Sequence, residues 1–323
     1  MAALNPKKWR GSIRWSLNEC EKNDKSKMKD IFYEDCHDIS NKFQNLQKKY
    51  PQFQKKFTQV DTIEAPVISK EKEWLVIGKA FVESENYERA IDAFSKAIKI
   101  APNYTDAYLE RGTAYEKLTK FKEAVKDYDR VIALNPKKVD MVKVYSTRGN
   151  AYREIKNYQK AIMDFDKAIE LSPFDAKLFS KRGDIYFELG NYQQSTTDYS
   201  SAIELSNISK SVYSKRGSAY RKLGKNGQAI EDYNKAIEID SKYAWAYYFR
   251  GITYRKMRSY QQAIKDFDKA IELDPQEAFY YLARGDTYDD LGDHQQAITD
   301  YKVAARLGDM DAQEILKSAK IEW

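Results

Sequence analysis

Seven glycines, Gly78, Gly112, Gly149, Gly183, Gly217, Gly251 and Gly285, recur at sequence separations of 34, 37, 34, 34, 34 and 34. A fixed period of this size means one small supersecondary unit repeated along the chain, so the fold must be a stack of similar units. With the first residue of each unit numbered 1, the units begin at 71, 105, 142, 176, 210, 244 and 278. The single longer step is an insertion of three residues near Val139 to Met141.

The other positions of the unit explain the glycine. Position 4 is always aromatic (Trp74, Tyr108, Tyr145, Phe179, Tyr213, Tyr247, Tyr281), as is position 11 (Phe81, Tyr115, Tyr152, Tyr186, Tyr220, Tyr254, Tyr288). Position 20 is small, from Ala90 to Ala297 with Ser195 the exception, and position 24 is aromatic again. Positions 4, 8 and 11 share one face of a first helix; positions 20, 24, 27 and 28 share one face of a second. Small residues at 8 and 20 admit close backbone approach, and the rings fill the space around them. Sequences such as Leu189-Gly190-Asn191-Tyr192 make the turn, with glycine as the left-handed cap, and proline at position 32 ends the second helix.

This pattern closely resembles the tetratricopeptide repeat family over residues 71–311. The resemblance implies an all-α, right-handed α-solenoid of seven helix-turn-helix repeats (71–104, 105–138, 142–175, 176–209, 210–243, 244–277 and 278–311), with a concave groove lined by the first helices. Residues 1–70 read as a basic helical N-terminal extension and linker, and 312–323 as a C-terminal capping helix covering the end of the stack. Ala312, Ile315, Leu316 and Ala319 form its expected apolar stripe, Asp311 and Glu314 its capping box. Ser195, Asn207, Asn226-Gly227 and Ser241 cluster in repeats four and five and mark that junction as the least tightly held.

Two positions change together. Position 7 is arginine in six repeats (Arg111, Arg148, Arg182, Arg216, Arg250, Arg284), and position 23 is aspartate in the same six (Asp127, Asp164, Asp198, Asp232, Asp266, Asp300). In the first repeat both are lost, to Ile77 and Ala93. A charge beside a packed face needs a partner, so these residues are expected to form structural ion pairs within or between repeats.

The resemblance places positions 2, 5, 6, 9, 12 and 13 of the first helices on the groove. There the middle repeats carry Lys143, Lys177, Lys181, Lys215, Arg153, Arg221, Lys222, Arg255 and Lys256. The sixth and seventh carry Trp245, Tyr248, Phe249 and Phe279, and Asp286, Asp289 and Asp290 make the far end acidic. Each ring could bury ~150–250 Å², so four together rival the largest apolar patch usual on a monomer, ~300–600 Å². The expected partner-binding residues are therefore Trp245, Tyr248, Phe249, Phe279, Lys143, Lys177, Lys181, Lys215, Arg221 and Arg255. Cover by the chain itself, through Trp323 or the N-terminal segment, is the competing expectation. Some family members hold acidic chaperone tails through a carboxylate clamp of Lys at 5 and Asn at 9, then Asn at 6, then Lys at 2 and Arg at 6. No three consecutive repeats match it; Asn150 and Lys177 are isolated fragments, with Ser146 and Lys181 beside them.

Composition narrows the function. There are two histidines, His37 and His294, and two cysteines, Cys20 and Cys36, outside any metal-ligand spacing. His294 stands at the usual tyrosine of position 17 and is expected to pack in its loop. No nucleophile elbow, phosphate loop or acid/base pair is present. No catalytic residue, metal or cofactor is expected, and no run approaches a membrane span of ~20 apolar residues. The net charge of +6 sits unevenly: residues 1–70 hold 14 Lys and Arg against 9 Asp and Glu. The stretch 1–18 carries Lys7, Lys8, Arg10 and Arg14 without an acid, which suits a mitochondrial address as the alternative to a cytoplasmic protein. Residues 41–60 interleave lysines with Phe43, Tyr50, Phe53 and Phe57, a pattern that can serve single-stranded nucleic acid. The array itself is nearly neutral, so nucleic acid is disfavoured, and the expected function is a non-catalytic scaffold or adaptor for protein partners in a multi-protein assembly.

Overall fold

The structure is a computed structural model that describes residues 69–134, 139–206 and 209–323. The expectations for the cysteines, the N-terminal extension and the basic-aromatic stretch at 41–60 fall outside these residues, as do Pro136 at position 32 of the second repeat and Asn207.

Fifteen helices are described. The first helices of the repeats are α1 (Lys70–Glu83), α3 (Thr105–Lys117), α5 (Met141–Glu154), α7 (Ala176–Glu188), α9 (Lys210–Lys222), α11 (Ala244–Lys256) and α13 (Ala278–Leu291). The second helices are α2 (Tyr87–Ile100), α4 (Phe121–Leu134), α6 (Tyr158–Leu171), α8 (Tyr192–Leu205), α10 (Asn226–Ile239), α12 (Tyr260–Leu273) and α14 (His294–Arg306). A short α15 (Met310–Ser318) follows. Each second helix begins at position 17, so the chain is an α-solenoid of paired helices in one register.

Within each hairpin the position-24 ring lies on the position-8 glycine. A Cβ on Gly78 would come within 2.3 Å of the Phe94 ring, and one on Gly251 within 2.7 Å of Phe267. Those rings are fully buried, as are Tyr128, Phe165, Tyr199 and Tyr233. The turn places position 15 in the left-handed region: Gly190, Gly224 and Gly292 there, but also Glu85, Thr119, Lys156 and Arg258 at φ of 57–60°. The left-handed turn therefore belongs to the repeat itself and is adopted by side-chain-bearing residues at a cost of ~1–2 kcal/mol each.

All six Arg–Asp pairs form, each within its own repeat and each bidentate. Arg148 Nε and Nη2 donate to Asp164 Oδ2 and Oδ1 at 2.8 and 2.6 Å, and the other five repeat this geometry. The third nitrogen, Nη1, reaches back to position 25 of the preceding repeat: Ser95, Asp129, Asp166, Ser200, Asn234 and Asp268 in turn. One guanidinium thus closes its own hairpin and staples it to the previous one, using the planar fork that lysine lacks. The hydrogen bonds and charge of Asp198, and then Asp166, hold Arg182 above the ordinary arginine range despite burial. The position-4 rings lie against these guanidinium groups, with Tyr247 5.4 Å from Arg250.

Three expectations change at the C-terminal end. The last helix starts at Met310, and its N-cap is Asp309, whose carboxylate accepts from the Ala312 amide at 2.8 Å. Asp311 therefore lies inside the first turn and is not the cap. Ala312 and Leu316 are buried against α14, but Ile315 and Ala319 face outward, because a terminal helix meets only one neighbour and buries a narrow stripe. His294 does not pack in its loop: it is exposed, with Nδ1 2.7 Å from Asp289 Oδ1.

Candidate functional site

Successive first helices touch one another directly, α7 with α9 and α9 with α11, whereas the second helices pack chiefly on their own and the following first helix. The first helices therefore form the inner face. A groove of about 540 Å³ opens there across α5, α7, α9 and α11. Its lining from the first helices is Arg153, Asp184, Phe187, Glu188, Ser211, Ser214, Lys215, Ser218, Arg221, Lys222, Trp245 and Phe249, every one at position 2, 5, 6, 9, 12 or 13. Tyr199 and Tyr243 complete the floor.

The four aromatic residues singled out by sequence come together. Trp245 stacks on Phe279 with centroids 5.1 Å apart and on Phe249 at 5.6 Å; Tyr248 meets Phe279 edge-on at 5.0 Å. Tyr280, itself buried, stands 4.6 Å from Phe279 and roots the cluster in the core. Trp245 is 44% exposed. Trp323 makes no ring contact with it, so cover by the C-terminal tryptophan does not occur among the described residues.

The basic residues divide into two kinds. Several are neutralised across the repeat boundary: Lys215 by Asp184 at 2.8 Å, Arg153 by Glu188 through Nε at 2.8 Å, and Arg255 by Asp286 and Asp290 at 2.8 and 2.6 Å. Burial lowers the proton affinity of Arg255, but Asp290 and Asp286 more than restore it. The acidic far end is thus partly spent on Arg255. Lys181 donates to Asn150 at 3.2 Å. Lys143 and Lys177 are exposed and their ammonium groups make no ion pair among the described residues; their backbone amides are engaged by the caps Asp140 and Asp175. Arg221 stands over the Phe249 ring at 5.8 Å.

Sequence reasoning missed one element of the floor. In three of the four repeats with tyrosine at position 24, its hydroxyl reaches the groove side and meets position 9: Tyr199 donates to Asp184 at 2.7 Å, Tyr301 to Asp286 at 3.1 Å, and Tyr233 pairs with Ser218 at 3.1 Å; Tyr128 is the exception. Where position 24 is phenylalanine, position 9 is Lys79, Asn150 or Ile252. That correlation was present in the sequence, but position 24 reads only as a core aromatic until the depth of the hairpin is known. Among the described residues no group of His, Cys, Asp and Glu could hold a metal ion, and no helix is long and apolar enough to cross a membrane.

Models of the tetratricopeptide repeat match residues 105–138, 142–175, 244–277 and 267–299, and a TPR repeat model matches 78–118, 183–224 and 217–258. The chain belongs to the tetratricopeptide repeat family. It is 37% identical over 59 residues to Hsp70-Hsp90 organizing protein 3 of Arabidopsis thaliana, 18% of this chain and 11% of that protein. It is 33% identical over 60 residues to a UDP-N-acetylglucosamine--peptide N-acetylglucosaminyltransferase of Giardia intestinalis, 19% of this chain and 4% of that protein. The chain thus spans only a small fraction of these curated relatives. A tetratricopeptide repeat protein from Parabacteroides merdae superposes with a TM-score of 0.61 at 20% identity, covering 77% of this chain and 98% of that one. Repeats of this family typically mediate protein–protein interactions.

Proposed function

We propose that this protein is a non-catalytic scaffold that captures a peptide segment or helix of a partner protein in its concave groove, with the aromatic cluster as anchor. The observation that carries this reading is Trp245, 44% exposed on a stacked aromatic group at the rim of a groove about 540 Å³ in volume. Large rigid aromatics bury much area for little lost side-chain freedom and dominate binding where they are desolvated. Phe279, Phe249 and Tyr248 hold the indole in place, so little ordering remains to be done on binding. The chaperone-tail clamp is not assembled here: Lys181 is bonded to Asn150, and Lys177 stands alone.

The test is crosslinking capture from native lysate by the intact protein and by Trp245→Ala, matched for helicity. Trp245 is the most exposed member of the cluster, so its removal should leave the array folded. Loss of one defined partner from the variant is the expected result. Identical capture by both forms would sink the groove reading and move the search to residues 1–70.

A further inference from the structure

Arginine occupies position 12 in three groove-facing settings, and two of the three are satisfied by the next repeat. Arg153 donates to Glu188, at position 13 of the following unit. Arg255 donates to Asp286 and Asp290, at positions 9 and 13. For Arg221 the corresponding residues are Ile252 and Lys256, one apolar and one cationic. Its Nε is buried without a hydrogen-bond partner, and the guanidinium has no carboxylate partner among the described residues. The carboxylates lining its groove, Asp184 and Glu188, are engaged by Lys215 and Arg153. A buried donor left without an acceptor is costly, and an ionised acceptor is the strongest remedy.

From this we infer that Arg221 is a receptor for an acidic side chain of the bound peptide. The glutamate or aspartate carboxylate takes the fork that Glu188 and Asp290 fill in the neighbouring repeats. A large apolar residue close to it in the peptide packs on Trp245 and Phe249. This rests on the groove reading above and specifies its partner. Charge complementarity selects the occupant: Arg153, Lys215, Arg221 and Lys222 face two carboxylates in the groove, and the chain's own segment 1–70, with 14 Lys and Arg against 9 Asp and Glu, carries the wrong sign. The groove lining extends on both sides of Arg221, to Arg153 on one side and to Trp245 and Phe249 on the other, so the arginine meets the middle of a bound segment and not its end.

The experiment uses a library of short peptides displayed with both ends joined to the carrier, selected on the full-length chain. Selected sequences are then made as synthetic pairs differing by one Glu→Gln change. The intact protein is expected to enrich an acid beside a large apolar residue and to bind the Glu form about tenfold or more tightly, the size of a charge-assisted hydrogen bond. Arg221→Gln should bind both forms alike. Lys256→Glu, which supplies the missing carboxylate in cis while keeping the arginine, should also erase the preference; because it restores a pairing found in the next repeat, it guards against a folding artefact. A Glu preference that survives in Arg221→Gln, or the absence of acids from selected peptides, overturns the inference and leaves the groove reading standing. If no selected peptide depends on Trp245, the groove reading falls, and this inference with it.

Discussion

Helices α6 and α8 occupy the same place in adjacent repeats and bury it with different chemistry. In α6 the buried face is Ala161, Ile162, Phe165 and Ala168, part of a continuous apolar cluster that includes Tyr152, Leu178 and Ile185. In α8 the same positions are Ser195, Thr196, Tyr199 and Ala202. The polar atoms are handled locally: Thr196 donates to Gln193 O and Ser200 to Thr196 O, both at 2.8 Å, and Tyr199 donates to Asp184. Ser195 Oγ is left buried without a partner. The aspartates of the Arg–Asp pairs, Asp164 and Asp198, are alike in geometry. The repeat frame is thus set by shape and by the ion pair, while the apolar content of the face is free to vary and tunes how firmly each hairpin is held.

The largest expected effect is at Phe165. Phe165→Ala should destabilise repeat three by ~3–5 kcal/mol, whereas Tyr199→Phe, which loses one hydroxyl and keeps the ring, should cost ~1 kcal/mol. Amide exchange resolved to α6 and α8 reads both; equal costs would end the claim that ring volume sets the frame. Next come the staples. α6 supplies Asp166 to Arg182, but α8 supplies only the neutral Ser200 to Arg216. Asp198→Ala therefore leaves Arg182 a carboxylate, and Asp232→Ala leaves Arg216 none. The second should be the more damaging by about 1 kcal/mol in denaturant titration; the reverse order would show that position 25 contributes nothing.

Smaller effects should run in the stabilising direction. Ser195→Ala removes an unpaired buried hydroxyl and should add ~1 kcal/mol, and Thr196→Ile, copying Ile162, a similar amount. Slower exchange in α8 is the readout, and a loss from Thr196→Ile would reveal that the two sites differ in shape.

The smallest effect extends the comparison one repeat toward the N-terminus. There Tyr128 again occupies position 24, but its buried hydroxyl makes no bond to Thr113 at position 9 and lies instead beside the carboxyl of Glu116 at position 12. Burial, against the pull of Tyr128, Lys181 and Lys117, pushes Glu116 up to about 7. A raised carboxyl favours the fold in its protonated form, so its contribution is complete below the ordinary glutamate value and is lost as pH rises through about 7. Protection factors in α3 and α4, taken relative to the base-catalysed intrinsic exchange rate at each pH, should fall between pH 5 and 8, and Glu116→Gln should flatten that dependence.

Some of this was legible in the residues alone. The period, the hairpins and the coupling of position 7 to position 23 were readable because both partners lie inside one repeat, on a rigid local frame. The gathering of Trp245, Tyr248, Phe249 and Phe279 on one face was readable too. The packing of Trp245 and Tyr248 on Phe279 was not, because it depends on the approach of α11 to α13. The cap was misplaced because Asp309 stands at position 32, where proline elsewhere only marks a helix end. The exposure of Ile315 could not be foreseen, since helical spacing shows which residues share a stripe but not how wide a stripe the neighbour covers.

The division has one physical cause. The sequence by itself determined the glycine–ring contact and the Arg–Asp pair inside a repeat, because covalent spacing and helical periodicity carry those partners to each other in each copy that has them. The tertiary structure decided what happens between repeats, 31 to 35 residues apart, where the pitch of the stack selects which arginine meets which carboxylate. It gave Arg153 and Arg255 their acids and left Arg221, alike in sequence position, over the Phe249 ring, with Ile252 and Lys256 where the neighbouring repeats carry acids.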